Sequence, residues 1–120
     1  MDNIEIARRG WEAAQRGDLE AIAEVLDPDV KWHGGDPTAE GSCQNRDEAL
    51  EFMRRATSRG ALPRLVDVVG AGDKVAVVMA RPGEEGGTEL VANVSTFRDG
   101  KVIEMVHYPD ANEALAAVEA

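Results

Sequence analysis

The sequence predicts an α+β fold in which helices come first and an antiparallel sheet follows. Apolar residues recur at helical spacing near the N-terminus, most clearly over residues 3–16. In the second half they alternate with polar residues, and Gly, Pro and Asp separate the alternating stretches. A length of 120 residues is typical of one domain, so we expect a single domain over residues 1–120.

Two helices are expected before the first strand. Residues 3–16 carry an apolar stripe and are followed by Gly17, a residue type that commonly closes helices. Asp18 can cap a second helix over residues 19–26, whose apolar side chains again fall on one side. Because each helix is apolar on one side only, we expect the sheet to curl around them.

Two more helices are expected later in the chain. Residues 46–59 follow a long polar loop, and Phe52 is among the side chains expected on the buried side of this helix. A short helix over residues 113–118 ends the chain. Long loops in small domains often border functional sites, which draws attention to the segment before the third helix.

Five strands are expected, and the first is short. It covers residues 30–33 and follows a turn at Asp27-Pro28-Asp29, since proline disfavours helix at the residue before it. The other four form an antiparallel meander, of which the last two are the arms of a hairpin. They are expected over residues 62–69, 74–81, 89–97 and 101–108.

Composition and charge argue against several kinds of partner. The net charge is −10, and phosphate binding needs a basic face, so we expect neither nucleic acid nor an anionic membrane as partner. No apolar run approaches the length of a membrane span. The lone Cys43 excludes an internal disulfide and favours a reducing cytoplasm. No cofactor motif is present and the two histidines lack metal-site spacing, so neither a cofactor nor a metal is expected.

Two stretches of the chain resemble a known family. RGWEAAQRGDLEAIAEVLDPDVKWHG resembles the opening of SnoaL-like proteins of the nuclear transport factor 2-like superfamily, and STFRDGKVIEMVHYPDANEALAA resembles their terminal hairpin and tail. The resemblance covers nearly the whole chain. It implies a cone, in which a strongly curved sheet wraps around helices and leaves a pocket in the mouth, and it implies a dimer. The superfamily contains isomerases, cyclases, dehydratases, hydrolases and non-catalytic binders, so the fold does not fix the function.

Ketosteroid isomerase, a member of that superfamily, provides a residue-by-residue test. Aligned on Gly17-Asp18-Leu19, its oxyanion tyrosine falls on Gly10 and its aspartate base falls on Gly34. Aligned on the hairpin, its second oxyanion acid falls on Asn93, which donates hydrogen bonds but is not a neutral acid. Steroid isomerisation by that mechanism is therefore not expected.

The hairpin supplies the main candidates for chemistry. Asn93 and Ser95 stand among apolar residues on its first arm, and His107 lies on its second arm. A histidine that faces a cavity can act as a general base near neutral pH, and Asn93 could donate a hydrogen bond to a developing oxyanion. The alternative is that His107 is only hydrogen-bonded within the sheet and that Asn93 serves a neighbouring buried polar group.

The first strand and the loop after it add candidates at the rim of the pocket. Asp36 could orient a histidine or serve as a base, although loop carboxylates are commonly solvated. The ring of Trp32 could form the pocket floor or belong to the core. The other residues expected to contact a ligand are His33, Ser95, Met105 and Phe52.

The turn of the hairpin decides whether His107 faces the pocket. A two-residue turn at Asp99-Gly100 would point His107 away from the face of Asn93. A three-residue loop over residues 98–100 would place His107 on that face together with Met105. We expect the three-residue loop, because it matches the register of the family and leaves the neighbouring glutamate outside.

Three functions are consistent with these features. The first is a binding protein whose pocket holds a small apolar or amphipathic molecule. The second is an enzyme of the cyclase, isomerase, dehydratase or hydrolase type that uses His107 as base and Asn93 as hydrogen-bond donor. The third is a structural dimer with a filled cone. A homodimer through the convex sheet face is expected because that face would expose apolar residues, namely Leu90, Ala92, Val94 and Thr96 beside Val102, Val106 and Tyr108.

Overall fold

The α+β class is confirmed by the computed structural model, which describes residues 2–33, 43–58, 64–82 and 86–119. None of the helices within these ranges is long and apolar enough to cross a membrane. In chain order the elements are α1 (Asn3–Arg16), α2 (Leu19–Val25), β1 (Leu26–His33), α3 (Arg46–Ser58), β2 (Arg64–Ala71), β3 (Lys74–Pro82), β4 (Thr88–Arg98), β5 (Lys101–Tyr108) and α4 (Ala111–Glu119).

Capping residues set the bounds of the first two helices. The Asp2 carboxylate accepts a hydrogen bond of 2.9 Å from the backbone N–H of Glu5, and Asp18 caps α2 in the same way. Gly17 ends α1 in the left-handed conformation, with φ of 70°. α1 has the predicted bounds. α2 ends one residue earlier than predicted, because Leu26 is already extended and begins β1.

The strands form one five-stranded sheet in the order β1-β5-β4-β3-β2. β2 to β5 are an antiparallel meander, as predicted. β1 lies parallel to β5, so the sheet is mixed at this edge. Parallel neighbours require a long connection, and α3 with three strands separates β1 from β5 along the chain.

The predicted turn at residues 27–29 lies inside β1. Leu26 pairs with Val102, and the next pair is Lys31 with Glu104. β1 therefore advances five residues while β5 advances two, which leaves the four residues 27–30 of β1 without a Cα partner on β5. The proline in this segment cannot donate to the sheet, which suits an irregular position on an edge strand.

A two-residue turn closes the hairpin between β4 and β5. Arg98 and Lys101 are Cα partners, and Asp99 and Gly100 between them have φ of 54° and 77°. Two successive left-handed residues make a type I′ turn, whose twist matches that of the flanking strands. The three-residue loop expected over residues 98–100 is therefore wrong, because Asp-Gly completes the reversal without a third residue.

A bulge beside this turn places the later residues of β5 on the same faces of the sheet as the longer loop would have done. Phe97 pairs with Val102. The next pair is Thr96 with Glu104, which leaves Ile103 as an extra residue on β5. One extra residue moves every side chain beyond it to the opposite face. The later residues of β5 consequently take the faces that the sequence predicts, by a different route.

Helices cover both faces of the sheet. We call the face toward α1, α2 and α3 the helix-facing side; Val75, Val77 and Met79 of β3 mark it. We call the other face the outer face; Ala76 and Val78 mark it, and α4 packs there. The main core lies on the helix-facing side and includes Ile6, Ala13, Ile22, Leu26, Val30, Cys43, Ala49, Val68, Val75, Phe97, Val102 and Met105.

The apolar outer face expected from the sequence is largely covered by the chain itself. Ala92 and Val94 are 0% and 5% exposed, and they pack in one cluster with Ala114 and Val118 of α4. Val102 is not on this face, because it precedes the bulge and belongs to the main core. The tail helix thus provides much of the cover that a second subunit was expected to provide.

Candidate functional site

A hydrogen-bonded polar pair lies on the helix-facing side of the sheet. His107 Nδ1 and Asn93 Oδ1 are 2.9 Å apart, and the two residues are Cα partners on β5 and β4. An amide oxygen accepts and cannot donate, so Nδ1 carries the hydrogen in this arrangement. The Nε2 atom of a neutral His107 is then unprotonated. We refer to these residues as the His107–Asn93 pair.

The bulge on β5 is what brings this pair together. Without the extra Ile103, Asn93 would pair with a residue of the opposite parity on β5, and His107 would project from the outer face. The sequence prediction that Asn93, Met105 and His107 share a face agrees with the structure. The predicted cause, a three-residue loop, does not.

An apolar row runs beside the pair, across the middle of the sheet. Val75 pairs with Ser95, Ser95 with Met105, and Met105 with Trp32 at the β1 edge. Paired residues project on the same side of a sheet, so Trp32 is a diagonal neighbour of His107. Ser95 and Met105 are 6% and 9% exposed, so they are buried beneath this surface.

Two aromatic rings close the β1 end of the surface. The ring centroids of Trp32 and Phe52 are 4.9 Å apart with an interplanar angle of 69°, an edge-to-face contact. Phe52 is 47% exposed, so the expectation that it is buried in the core is wrong. It lies at the edge of α3 against Trp32, where a ligand could reach it. We call these two residues the aromatic corner.

An ion pair lies on the helix-facing side of the sheet, at the end away from the aromatic corner. Arg81 of β3 and Glu89 of β4 are Cα partners, and Arg81 Nη2 lies 3.2 Å from Glu89 Oε2. Arg81 continues the alternation of Val75, Val77 and Met79, so it projects on the helix-facing side. Sequence reasoning missed this pair. Alternation along β3 places Arg81 on the same face as the partner of Asn93, and this could have been read from the sequence.

The environment of His107 favours the neutral imidazole. Burial, and after it the positive charge of Arg81, hold the pKa of His107 below its ordinary value of 6.5. Both causes act against the protonated ring. At neutral pH the histidine is therefore a hydrogen-bond acceptor at Nε2 and a donor to Asn93 at Nδ1.

His33 is not part of this site. It pairs with Val106, so its side chain projects from the outer face, opposite to that of the neighbouring Trp32. There His33 Nε2 lies 3.7 Å from Glu104 Oε2, and the side chain is 8% exposed. The structure therefore does not bring His33 together with the other candidate ligand contacts, because His33 and Trp32 are successive residues of β1 and project on opposite faces. Asp36, the other rim candidate, lies outside the described residues.

Cys43 has a structural position at the edge of the sheet. Its backbone forms two hydrogen bonds with Trp32, of 2.9 and 3.0 Å, and these extend the sheet beyond β1. Its side chain is buried, and burial raises the pKa of the thiol. The cysteine therefore holds the strand that carries Trp32 and is poorly suited to act as a nucleophile.

Two further features of the described residues bear on ligands. No group of three or more His, Cys, Asp and Glu side chains there could hold a metal ion. An open cleft of about 350 Å³ lies between the start of α1 and the β2–β3 turn, away from the His107–Asn93 pair. Its lining residues are Asp2, Asn3, Ile4, Gly70, Ala71, Gly72 and Val75. It contains none of the polar groups that mark the candidate site.

A curved sheet that carries a polar pair between its concave face and three helices defines the class of protein. The chain belongs to the SnoaL-like domain family, whose model matches residues 7–105. The resemblance seen in the sequence is thereby confirmed. A comparison with curated protein sequences gave no match.

Solved structures show that the fold is nuclear transport factor 2-like. An NTF2-like protein of unknown function from Burkholderia pseudomallei is 23% identical, with 100% of both chains covered and a TM-score of 0.73. A putative polyketide cyclase from Sinorhizobium meliloti is 18% identical, with 86% of this chain and 93% of that chain covered and a TM-score of 0.70. TerC, co-crystallised with polyporic acid, is 23% identical, with 98% of both chains covered and a TM-score of 0.70.

Proposed function

We propose that the protein binds a small apolar or amphipathic molecule on the helix-facing side of the sheet. The His107–Asn93 pair, hydrogen-bonded at 2.9 Å within an otherwise apolar surface, is the observation that carries this proposal. Ligand sites typically combine apolar walls with a few fixed polar groups that orient the ligand. The aromatic corner supplies the apolar wall, and Nε2 of His107 supplies an acceptor.

The two histidines allow a direct test by NMR. His107 belongs to the proposed site and His33 lies on the outer face, so the second imidazole is an internal control. A library of neutral and charged bicyclic compounds would be titrated while both imidazoles are observed. A ligand of the site shifts the His107 signals and leaves those of His33 in place. If every compound leaves His107 unmoved, or moves both histidines equally, the proposal fails.

A second candidate function is catalysis without a cofactor. It is favoured by the fixed tautomer of His107, because Asn93 Oδ1 accepts from Nδ1 and leaves Nε2 as a base. The depressed pKa of His107 keeps that base unprotonated at neutral pH. Among the described residues, nothing accepts from Asn93 Nδ2, so the same amide can donate to an oxyanion that forms on the substrate.

These groups suit removal of a proton from carbon next to a carbonyl. His107 Nε2 takes the proton, and the electron pair moves to the carbonyl oxygen, where Asn93 Nδ2 donates a hydrogen bond. Isomerisation, cyclisation and dehydration can each begin with this step. Hydrolysis would instead use His107 to activate water. We favour binding over catalysis. Binding requires only the His107–Asn93 pair and the apolar surface, whereas catalysis also requires a substrate carbon placed at Nε2 of His107.

Deuterium exchange tests the catalytic candidate without knowledge of the substrate. The α-protons of 2-tetralone exchange in D₂O when a base removes them, and ¹H NMR follows the rate. The wild type should accelerate this exchange, His107→Gln should lose the acceleration, and His33→Gln should keep it. An equal rate for all three proteins and for buffer alone would exclude this base chemistry and leave the binding proposal standing.

We further infer a homodimer and a cytoplasmic location. The dimer is supported by Leu90, which is 48% exposed on the outer face beside the area that α4 covers. The location is supported by Cys43, the lone cysteine of the sequence, which is buried and cannot pair within the chain. Light scattering at micromolar concentration tests the dimer: the wild type should be dimeric and Leu90→Asp monomeric. A monomeric wild type would contradict the inference.

A further inference from the structure

The candidate site contains a cation that neither proposed role uses. Arg81 projects on the helix-facing side, as the His107–Asn93 pair does. The two groups are well separated along the strands, since the Arg81–Glu89 pair lies four residues along β3 from the row of Asn93. The charge of Arg81 nevertheless acts on His107. Arg81 and His107 thus share one side of the sheet, and the positive charge of one acts on the other.

The ion pair with Glu89 holds the Arg81 guanidinium in place and occupies only some of its N–H donors. Arg81 Nε and Nη2 both lie 3.2 Å from the same oxygen of Glu89, Oε2. A guanidinium has five N–H donors, and within the part of the chain that the structure describes this contact with one oxygen leaves the Nη1 edge for another acceptor. The Arg81 side chain is 45% exposed, so a ligand can reach that edge. Glu89 thus fixes the direction in which Arg81 presents its remaining donors.

Arginine in such a position suits a planar oxyanion. Its fork of N–H groups matches the two oxygens of a carboxylate, and the contact is both directional and charge-assisted. We propose that the site selects ligands that carry a carboxylate, bound by Arg81, with the apolar part of the ligand extending toward the His107–Asn93 pair and Trp32. This inference rests on the proposed function, because it assumes that the concave surface is the ligand site.

The competing explanation is that Arg81 and Glu89 are only a cross-strand ion pair at the surface. Such exposed pairs contribute little to stability, and they require no ligand. The two explanations differ in what removal of the charge does. A structural pair changes stability alone, whereas a ligand-binding arginine changes the preference between charged and neutral ligands.

Two nearly isosteric probes separate these explanations. 2-Naphthoate and 2-naphthamide have the same ring system, and only the first carries a negative charge at neutral pH. Binding would be measured by tryptophan fluorescence, with the His107 NMR signals as evidence that each probe occupies the site. The wild type should bind naphthoate about fivefold more tightly than naphthamide, a modest preference that suits a half-exposed charge contact.

Substitutions of two arginines, on β3 and at the end of β4, test whether Arg81 causes this preference. Arg81→Gln should remove the preference for naphthoate and leave naphthamide binding unchanged. Arg98→Gln, at the distant turn of β4, should keep the wild-type preference. Arg81→Lys should retain part of it, because the charge remains and the fork is lost. Thermal unfolding of each variant reports any loss of stability separately.

The outcomes distinguish this inference from the function it rests on. If both probes bind equally to the wild type and both shift His107, the site stands and selection by Arg81 is refuted. A preference that survives Arg81→Gln refutes it as well. If neither probe shifts His107, the proposed site itself is contradicted, and selection by Arg81 falls with it.

Discussion

At the scale of single residues, burial and two neighbours set the protonation of His107. Asn93 accepts a hydrogen bond from Nδ1, which fixes the tautomer of the neutral ring, and Arg81 opposes a second positive charge nearby. Glu89 partly offsets the charge of Arg81, because its carboxylate lies 3.2 Å from the guanidinium. The basicity of His107 is therefore controlled by its burial and by residues on the two neighbouring strands β3 and β4.

Opposite changes in this ion pair should move the pKa of His107 in opposite directions. Arg81→Gln should raise the pKa, yet leave it below 6.5, because burial is the larger cause of the depression. Glu89→Gln should lower it further, since Arg81 would then act without a neighbouring carboxylate. NMR titration of the wild type and of both variants measures the two shifts in the pKa of His107. A pKa that moves in the same direction in both variants would show that the charge of Arg81 does not reach the site.

The depressed pKa also makes folding stability depend on pH. Below pH 6.5 the imidazole of the unfolded chain takes up a proton, while His107 in the folded chain resists protonation. The free energy of unfolding should therefore fall as the pH drops below 6.5 toward the lower pKa of the folded chain. Urea unfolding across this range should show a smaller fall in His107→Gln than in the wild type. An identical pH dependence in wild type and His107→Gln would contradict this account.

At the scale of elements, the contact between α1 and β2 depends on a glycine. A Cβ built on Gly70 would lie 2.8 Å from Ile4 Cγ1 and 3.0 Å from its Cδ1, so the start of α1 packs directly on the backbone of β2. Gly70→Ala should displace Ile4 and destabilise the fold by about 1–2 kcal/mol, as overpacking does. Thermal or urea unfolding measures the change.

Two variants show whether this contact is the cause. In an Ile4→Ala background, Gly70→Ala should lose most of its effect, because the obstructing atoms are gone. Gly87→Ala, where an added Cβ meets nothing within 4 Å, should leave stability unchanged. Equal losses from Gly70→Ala with and without Ile4 would point to strain in the strand instead.

The elements also show how far local signals can predict this fold. The caps at Asp2 and Asp18 and the left-handed Gly17 act within one or two turns of helix, and α1 is correctly predicted to the residue. Asp-Gly is likewise a local signal, and it makes the two-residue turn. The bulge at Ile103 has no local signal, since a β-branched residue fits any strand position. The faces of β5 depend on it, and therefore so does the candidate site.

Features that depend on packing between distant elements were harder to predict. The phase of Arg81 can be counted along β3, but its effect on the pKa of His107 acts between strands and has no local signal in the sequence. The phase of β1 depends on four residues without partners on β5, so Trp32 and His33 could not be assigned to faces from the sequence. The tail helix itself was expected. The sequence could not show whether this helix or a second subunit covers the outer face.

At the scale of the whole molecule, α4 determines how much of the outer face another subunit can reach. Ala114 is 0% exposed and lies in the cluster with Ala92 and Val94, whereas Ala116 of the same helix is exposed. Ala114→Glu would bury an unpaired carboxylate and should unseat α4, at a loss of about 2–4 kcal/mol in stability. Ala116→Glu should be within about 0.5 kcal/mol of the wild type, as surface substitutions usually are.

Release of α4 should expose the outer face and promote association between copies of the protein. Its removal would expose the apolar residues of β3 and β4, and contiguous apolar patches of this kind drive association. Ala114→Glu should therefore show faster proteolysis of the tail and a larger mass by light scattering than Ala116→Glu at the same concentration. If Ala114→Glu loses α4 and yet keeps the mass of the wild type, exposure of the area under α4 does not drive further association.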